Sequence, residues 1–233
     1  MRTAVFHYAV LVNTFAVLAG SLAGMLLKKN IAERYREILF IAVGLLTLGI
    51  GTKMALETDE FLVVLGSLAV GGLIGEWLDI EGKLGRFANF VERSQGETLF
   101  VRGFINASVL FLVGPMTIIG SVNIGTTGNA DLILIKSLMD GISSVVLASL
   151  YGMGVTLSAA SVFVVQGLLV VFAKQLSFLS LPAFLNDFTG VGGLMILGIG
   201  IRMLKLRELK MGNFLPALIA VVFLDWLKIS LGG

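Results

Sequence analysis

The chain has 233 residues, 57% of them hydrophobic and 14% charged, with a mean hydropathy of +0.98, a balance that excludes an ordinary water-soluble domain. It has no cysteine and a single histidine, His7, which removes disulfides, thiolate chemistry and a conventional zinc site; no metal and no cofactor are expected. The net charge of +2 is slight and scattered, so nucleic acid is not an expected partner and the lipid bilayer is.

A helix needs about 20 mainly apolar residues to cross the hydrocarbon core, and the stretches Thr3 to Leu27, Gly103 to Ala130 and Gly141 to Ala173 carry no Asp, Glu, Lys or Arg. The predicted fold is all-α, a polytopic transmembrane bundle of about eight spans near residues 4–27, 37–56, 61–79, 99–122, 131–152, 155–174, 188–204 and 212–230. Arg2 and the small residues Ala19, Gly20 and Ser21 would suit a cleaved signal peptide. The length of the run and the following Lys28, Lys29, Arg34 and Arg36 favour a retained span instead.

Span one carries Asn13 and the pair Gly20 and Gly24; span two ends at Lys53; span three carries Gly71, Gly75 and Glu76. The glycine pairs could pack a homodimer or neighbouring helices of the same chain. Between 79 and 98, Ile80, Leu84, Phe87 and Val91 recur at helical spacing among Glu81, Lys83, Arg86, Glu92 and Arg93, which predicts an amphipathic helix on the membrane surface.

Span four holds Asn106, Ser108, Gly114, Pro115 and Ser121. Proline lacks a backbone donor and obstructs the carbonyl one turn back, so an interruption is expected near Gly114, with these polar groups facing it; a plain proline kink is the simpler version. In span five Lys136 and Asp140, four residues apart, share a helical face that Ser137 and Ser144 extend. They could form a substrate or proton site, with Asp140 lining a water-accessible cavity, or an ion pair that only fixes packing. A turn within Tyr151 to Gly154 separates spans five and six, because Asp131 to Lys174 is too long for one helix. Span six contributes Gln166, which like Asn13 could coordinate a solute or serve as interhelical glue. Arg202 and Asp225 close the uncharged cores of spans seven and eight.

Gly44 to Met54 reappears as Gly193 to Met203 with seven identities in eleven positions, and the same offset places Glu76-Trp77-Leu78 on Asp225-Trp226-Leu227. Spans one to three would then match spans six to eight, entering from the opposite face. The chain divides on this reading into repeat one (1–80), a cytoplasmic connector (81–98), central spans (99–152) and repeat two (153–233), all within one transmembrane domain. Inverted repeats are a common plan for secondary transporters. Pseudo-symmetric ion pairs are expected between Lys53 and Asp225 and between Glu76 and Arg202, against simple snorkelling of these charges.

Lys and Arg number four at 28–36, four at 83–102 and three at 205–210, and none occur at 57–60 or 123–130. In an eight-span topology all three basic connections share one side, which puts them in the cytoplasm of a bacterial-type inner membrane and both termini outside.

The segments around Gly103-Phe104, Asn106-Ala-Ser108, Phe111 to Gly120 and Lys136-Ser-Leu-Met-Asp140-Gly141 resemble the YdfK/YqgA-like bacterial membrane proteins, domain-of-unknown-function family 554, and the likeness spans nearly the whole chain. It implies that Asn106, Ser108, Gly114, Pro115, Lys136 and Asp140 belong to the family signature, without roles. The function expected is transport of a small solute or ion by a carrier or channel. The alternatives are a nontransporting membrane scaffold and an intramembrane lipid enzyme using Asp140 and Lys136. Nucleotide-binding, metalloprotease and serine-hydrolase motifs are absent, so no enzyme is expected.

Overall fold

A computed structural model describes residues 7–28, 32–91 and 97–231, so Arg2, Lys29, Glu92 and Arg93 lie outside the described residues. Among the described residues ten α-helices follow in order: α1 (Tyr8–Lys28), α2 (Glu33–Ala55), α3 (Phe61–Leu78), α4 (Ile80–Val91), α5 (Glu97–Leu112), α6 (Pro115–Thr127), α7 (Asp131–Tyr151), α8 (Met153–Val171), α9 (Pro182–Met203) and α10 (Ala217–Ser230). They form two compact units, one of Met1–Arg36 with Ala88–Ser180 and the other of Glu37–Phe87 with Leu181–Gly233. The units therefore cut across the expected segments: the first takes spans one and six with the central spans, the second takes spans two, three, seven and eight.

In the first unit α1 and α7 run side by side in the same direction. Gly20 sits against Gly141 and Ser144, and Gly24 against Val145 and Ala148, so close that a Cβ on either would overlap α7 backbone. The glycine pair is thus used within the chain. Along α8, Phe100 and Phe104 of α5 meet Gly154, Ser108 bonds Ser161 at 3.2 Å, and further on Gly125 of α6 meets Val170 and Ala173.

Between α5 and α6 the chain bends by 59°. Gly114 is extended (φ −73°, ψ 149°), the conformation a following proline favours, and Pro115 opens α6, where its missing donor costs nothing. Thr117 repairs part of the break by donating its hydroxyl to the Phe111 carbonyl at 2.9 Å. Because residue numbers rise together along α5, α6 and α8, the bent pair continues in one direction and does not turn back. Counted as one broken span, it brings the helices long and apolar enough to cross a membrane from seven to eight among the described residues.

In the second unit α2 and α9 run antiparallel through the repeated glycine segments: Gly51 meets Gly193 and Leu197, and Gly44 meets Gly200 and Leu204. α3 and α10 are also antiparallel, with Gly71 on Ala217 and Gly75 on Asn213. Asp79 turns the chain in a left-handed conformation (φ 48°), and the expected helix between 79 and 98 follows as α4, its Phe87 exposed. α9 begins six residues earlier than the predicted 188, because Pro182 at its first turn follows an extended Leu181. Trp77 and Trp226 are both exposed near span ends, where amphipathic indoles favour the lipid headgroup level.

Candidate functional site

The polar centre of the first unit is built from three helices. The glycine contacts bring α1 against α7, and about two turns before Gly20 on α1 Asn13 reaches Asp140. Lys136 Nζ donates to both carboxylate oxygens of Asp140, at 2.7 and 2.6 Å. Asn13 Nδ2 donates to Asp140 Oδ2 and to Gln166 Oε1, each at 3.2 Å. The ammonium also lies 6.0 Å from the ring centroid of Phe111, just before the break in span four. Lys136 and Asp140 are each 6% exposed, and Asn13 and Gln166 are fully enclosed. Asp140 is thus buried, with Asn13 of α1 bonded to its carboxylate.

Both charges are satisfied, but the amides are not. Asn13 Oδ1, an acceptor, and Gln166 Nε2, a donor, are buried without hydrogen-bond partners. Such atoms forfeit their hydration with nothing in return and are rare in well-packed interiors. The cluster thus offers a paired charge beside one open acceptor and one open donor, in a setting where electrostatic interactions are strong.

The remaining predicted residues disperse. Ser137 bonds the Ile133 carbonyl and Ser144 the Gly141 carbonyl, within their own helix. Asn106 donates to the Tyr151 hydroxyl at 2.9 Å and Ser108 to Ser161, so neither serves the break; Ser121 is buried with its hydroxyl unpartnered. Beside Thr14 an apolar cavity of about 400 Å³ is walled by Phe100, Met153, Leu157 and Phe163, with no carboxylate in its lining.

The two expected ion pairs do not form. Arg202 donates to Glu81 at 3.1 Å and to the Leu209 carbonyl, while both oxygens of Glu76 are taken by Lys210 at 2.7 Å and Asn213 at 2.6 Å. Residue spacing fixes the membrane side of a charge but not its register, and the first turn of α4 brings Glu81 within reach of Arg202. Glu81 also accepts the Gly212 amide, and its own amide donates to Asn213, both at 2.8 Å. The Glu76 hydrogen bond holds the Lys210 ammonium above the usual lysine pKa. Lys53 is exposed, on the face of α2 opposite its glycines, whereas Asp225 is buried beside Asp187. Asp187 escaped the sequence reading because span seven was begun at the next residue; the proline five positions earlier was the available signal. Among the described residues no group of three or more His, Asp or Glu is arranged to hold a metal.

Seven unbroken helices long and apolar enough to cross a membrane, with a bent pair that can count as an eighth, define a polytopic helical membrane protein. The chain belongs to the family described as "Protein of unknown function (DUF554)", whose model matches residues 8–226. It is 31% identical over 216 residues to "Uncharacterized membrane protein YdfK" of Bacillus subtilis (strain 168), covering 91% of this chain and 93% of the relative. It is 27% identical over 215 residues to "Uncharacterized protein YqgA" of Escherichia coli (strain K12), covering 89% and 92%. No solved structure matches it.

Proposed function

We propose that the protein carries a small solute or ion across a bacterial inner membrane, without enzymatic chemistry, and that Asn13, Lys136, Asp140 and Gln166 are its recognition site. The observation that carries this reading is the buried ion pair with an open acceptor and an open donor beside it. Ionisable groups inside a membrane are expensive and are kept where they bind or move something. A scaffold needs only close packing, which the glycine contacts already provide.

Support for inverted repeats comes from each unit separately. In the first, Asn13 of α1 meets Gln166 of α8 while Met25 of α1 meets Thr156, so these equivalent helices run antiparallel. In the second, α2 with α9 and α3 with α10 do the same, and Gly44 opposite Gly200 mirrors Gly51 opposite Gly193, as a two-fold relation demands. With eight crossings both termini would share a side, and the basic connections at 28–36, 83–102 and 205–210 support the exterior for it.

The test is a flux screen of small ions and polar solutes in liposomes containing the purified chain. A solute that enters with wild type and is excluded with Asp140→Asn, in protein that remains monodisperse, supports the site. Equal flux in wild type and Asp140→Asn rejects it, and no flux for any solute across the screen favours the scaffold.

A further inference from the structure

A second polar centre lies in the other unit, and nothing in the transport reading uses it. At one end of α9 and α10, a cavity of about 290 Å³ is lined by Asp59, Glu60, Asn186, Asp187, Asp225 and Lys228. Its outer wall is charged and partnered: exposed Glu60 receives Lys228 at 2.6 Å. Its inner wall is different. Asp187 and Asp225 are 2% and 3% exposed and are neighbours in this lining. Thr58, from the connection between α2 and α3, donates its hydroxyl to Asp187 Oδ1, whereas Asp225 Oδ2 is buried with no hydrogen-bond partner.

Two neighbouring carboxylates, both withdrawn from water, repel each other when both are charged; a proton held between them removes the repulsion and supplies the missing donor. Lys228, three residues along α10 from Asp225, forms its salt bridge with Glu60 at the outer wall. Thr58 is committed to Asp187. We infer that Asp187 and Asp225 form a proton-binding site that loads and releases one proton through this cavity. On release, one carboxylic O–H bond breaks, the proton passes to water at the Asp59 and Glu60 rim, and the pair is left as two carboxylates; loading is the reverse. The groups facing it are Thr58, Asp59 and Glu60 ahead of α3, Asn186 on α9 and Lys228 on α10. The inference stands independently of whether the Asp140 cluster binds a solute.

The full chain in phospholipid nanodiscs provides the test, by infrared difference spectroscopy across a pH titration. A protonated-carboxyl stretching band is expected that shifts in D2O and vanishes in the double variant Asp187→Asn/Asp225→Asn. Each single variant is expected to move the titration midpoint by about one pH unit or more, as coupled carboxyls require. Thr58→Val should keep the band and change its frequency, and Asp140→Asn should leave it in place. A band that survives the double variant overturns the assignment, as do single variants that titrate like wild type. Should the double variant fail to fold, the single variants decide. Loss of flux in Asp140→Asn with the band retained, or the opposite, separates failure of this site from failure of the transport reading.

Discussion

The two units use glycine in the same way and charge in opposite ways. In the first, the close approach of α1 and α7 places an ion pair in the middle of the bundle, with Asn13 over it. In the second, the α2–α9 and α3–α10 crossings are lined by glycine and alanine, and charge is pushed to the helix ends: Arg202, Glu76 and Glu81 at one, Asp187 and Asp225 at the other. The lesson concerns magnitude. A hydrogen bond between membrane helices contributes about 0.6 kcal/mol on average, whereas stripping one partner from a buried ion pair costs several times more. A charge in mid-span therefore constrains the fold far more than an amide beside it.

The largest effect that would break this contrast is at Lys136. Lys136→Ala leaves Asp140 buried and unpaired, and a loss of about 3–5 kcal/mol is expected in thermal or denaturant unfolding in detergent. Lys136→Met with Asp140→Leu should recover most of it. A single variant as stable as wild type would show that the first unit is not organised by its charges.

At the charged end of the second unit, Arg202→Gln removes donors to Glu81 and to the Leu209 carbonyl, with an expected cost of about 1.5–3 kcal/mol. Faster hydrogen exchange at the Gly212 and Glu81 amides, with α7 unchanged, is the expected readout. Glycine contacts should behave alike in both units: Gly20→Val and Gly75→Val each force a side chain into facing backbone, costing about 1–3 kcal/mol in the same unfolding assay. Gly49, which has nothing within 4 Å of an added Cβ, is the control; Gly49→Ala should be neutral or stabilising by up to about 1 kcal/mol.

The smallest effects belong to the exposed charges. Lys53→Gln should shift stability by less than about 0.5 kcal/mol. The raised pKa of Lys210 means that, while the Glu76 carboxyl is ionised, their contact is kept through lysine's ordinary range and is lost as pH rises through the elevated value. Trp77 emission in a Trp226→Phe background should hence stay constant from neutral pH upward until strongly alkaline solution.

Much of this architecture was legible in the residues. The apolar runs gave the candidate crossings, Pro115 the interruption, the stretch from Tyr151 to Gly154 the joint between α7 and α8, and the spacing of Ile80, Leu84 and Phe87 the helix α4. What was not legible depends on three-dimensional register. Nothing in the local pattern says that α1 packs with α7 while α2 and α3 join α9 and α10. Composition likewise cannot show that Glu81 outcompetes Glu76 for Arg202, or that Asp187 meets Asp225. Asn13, Asp140 and Gln166 could be picked out as mid-span polar residues. Their convergence required the glycine contacts that set the distance between α1 and α7.

The joint at Gly152 carries one more consequence. It is a single residue, with φ 82° and ψ −139°, a backbone geometry that residues bearing a Cβ scarcely reach. The hairpin it makes exposes almost no chain, so a protease site or epitope tag placed there would have to unwind α7 or α8 before anything could bind it. Reporters of sidedness therefore belong in the longer connections, after Met203 or between Val171 and Pro182. Silence from a tag at position 152 would describe the tightness of the corner and say nothing about which face of the membrane it occupies.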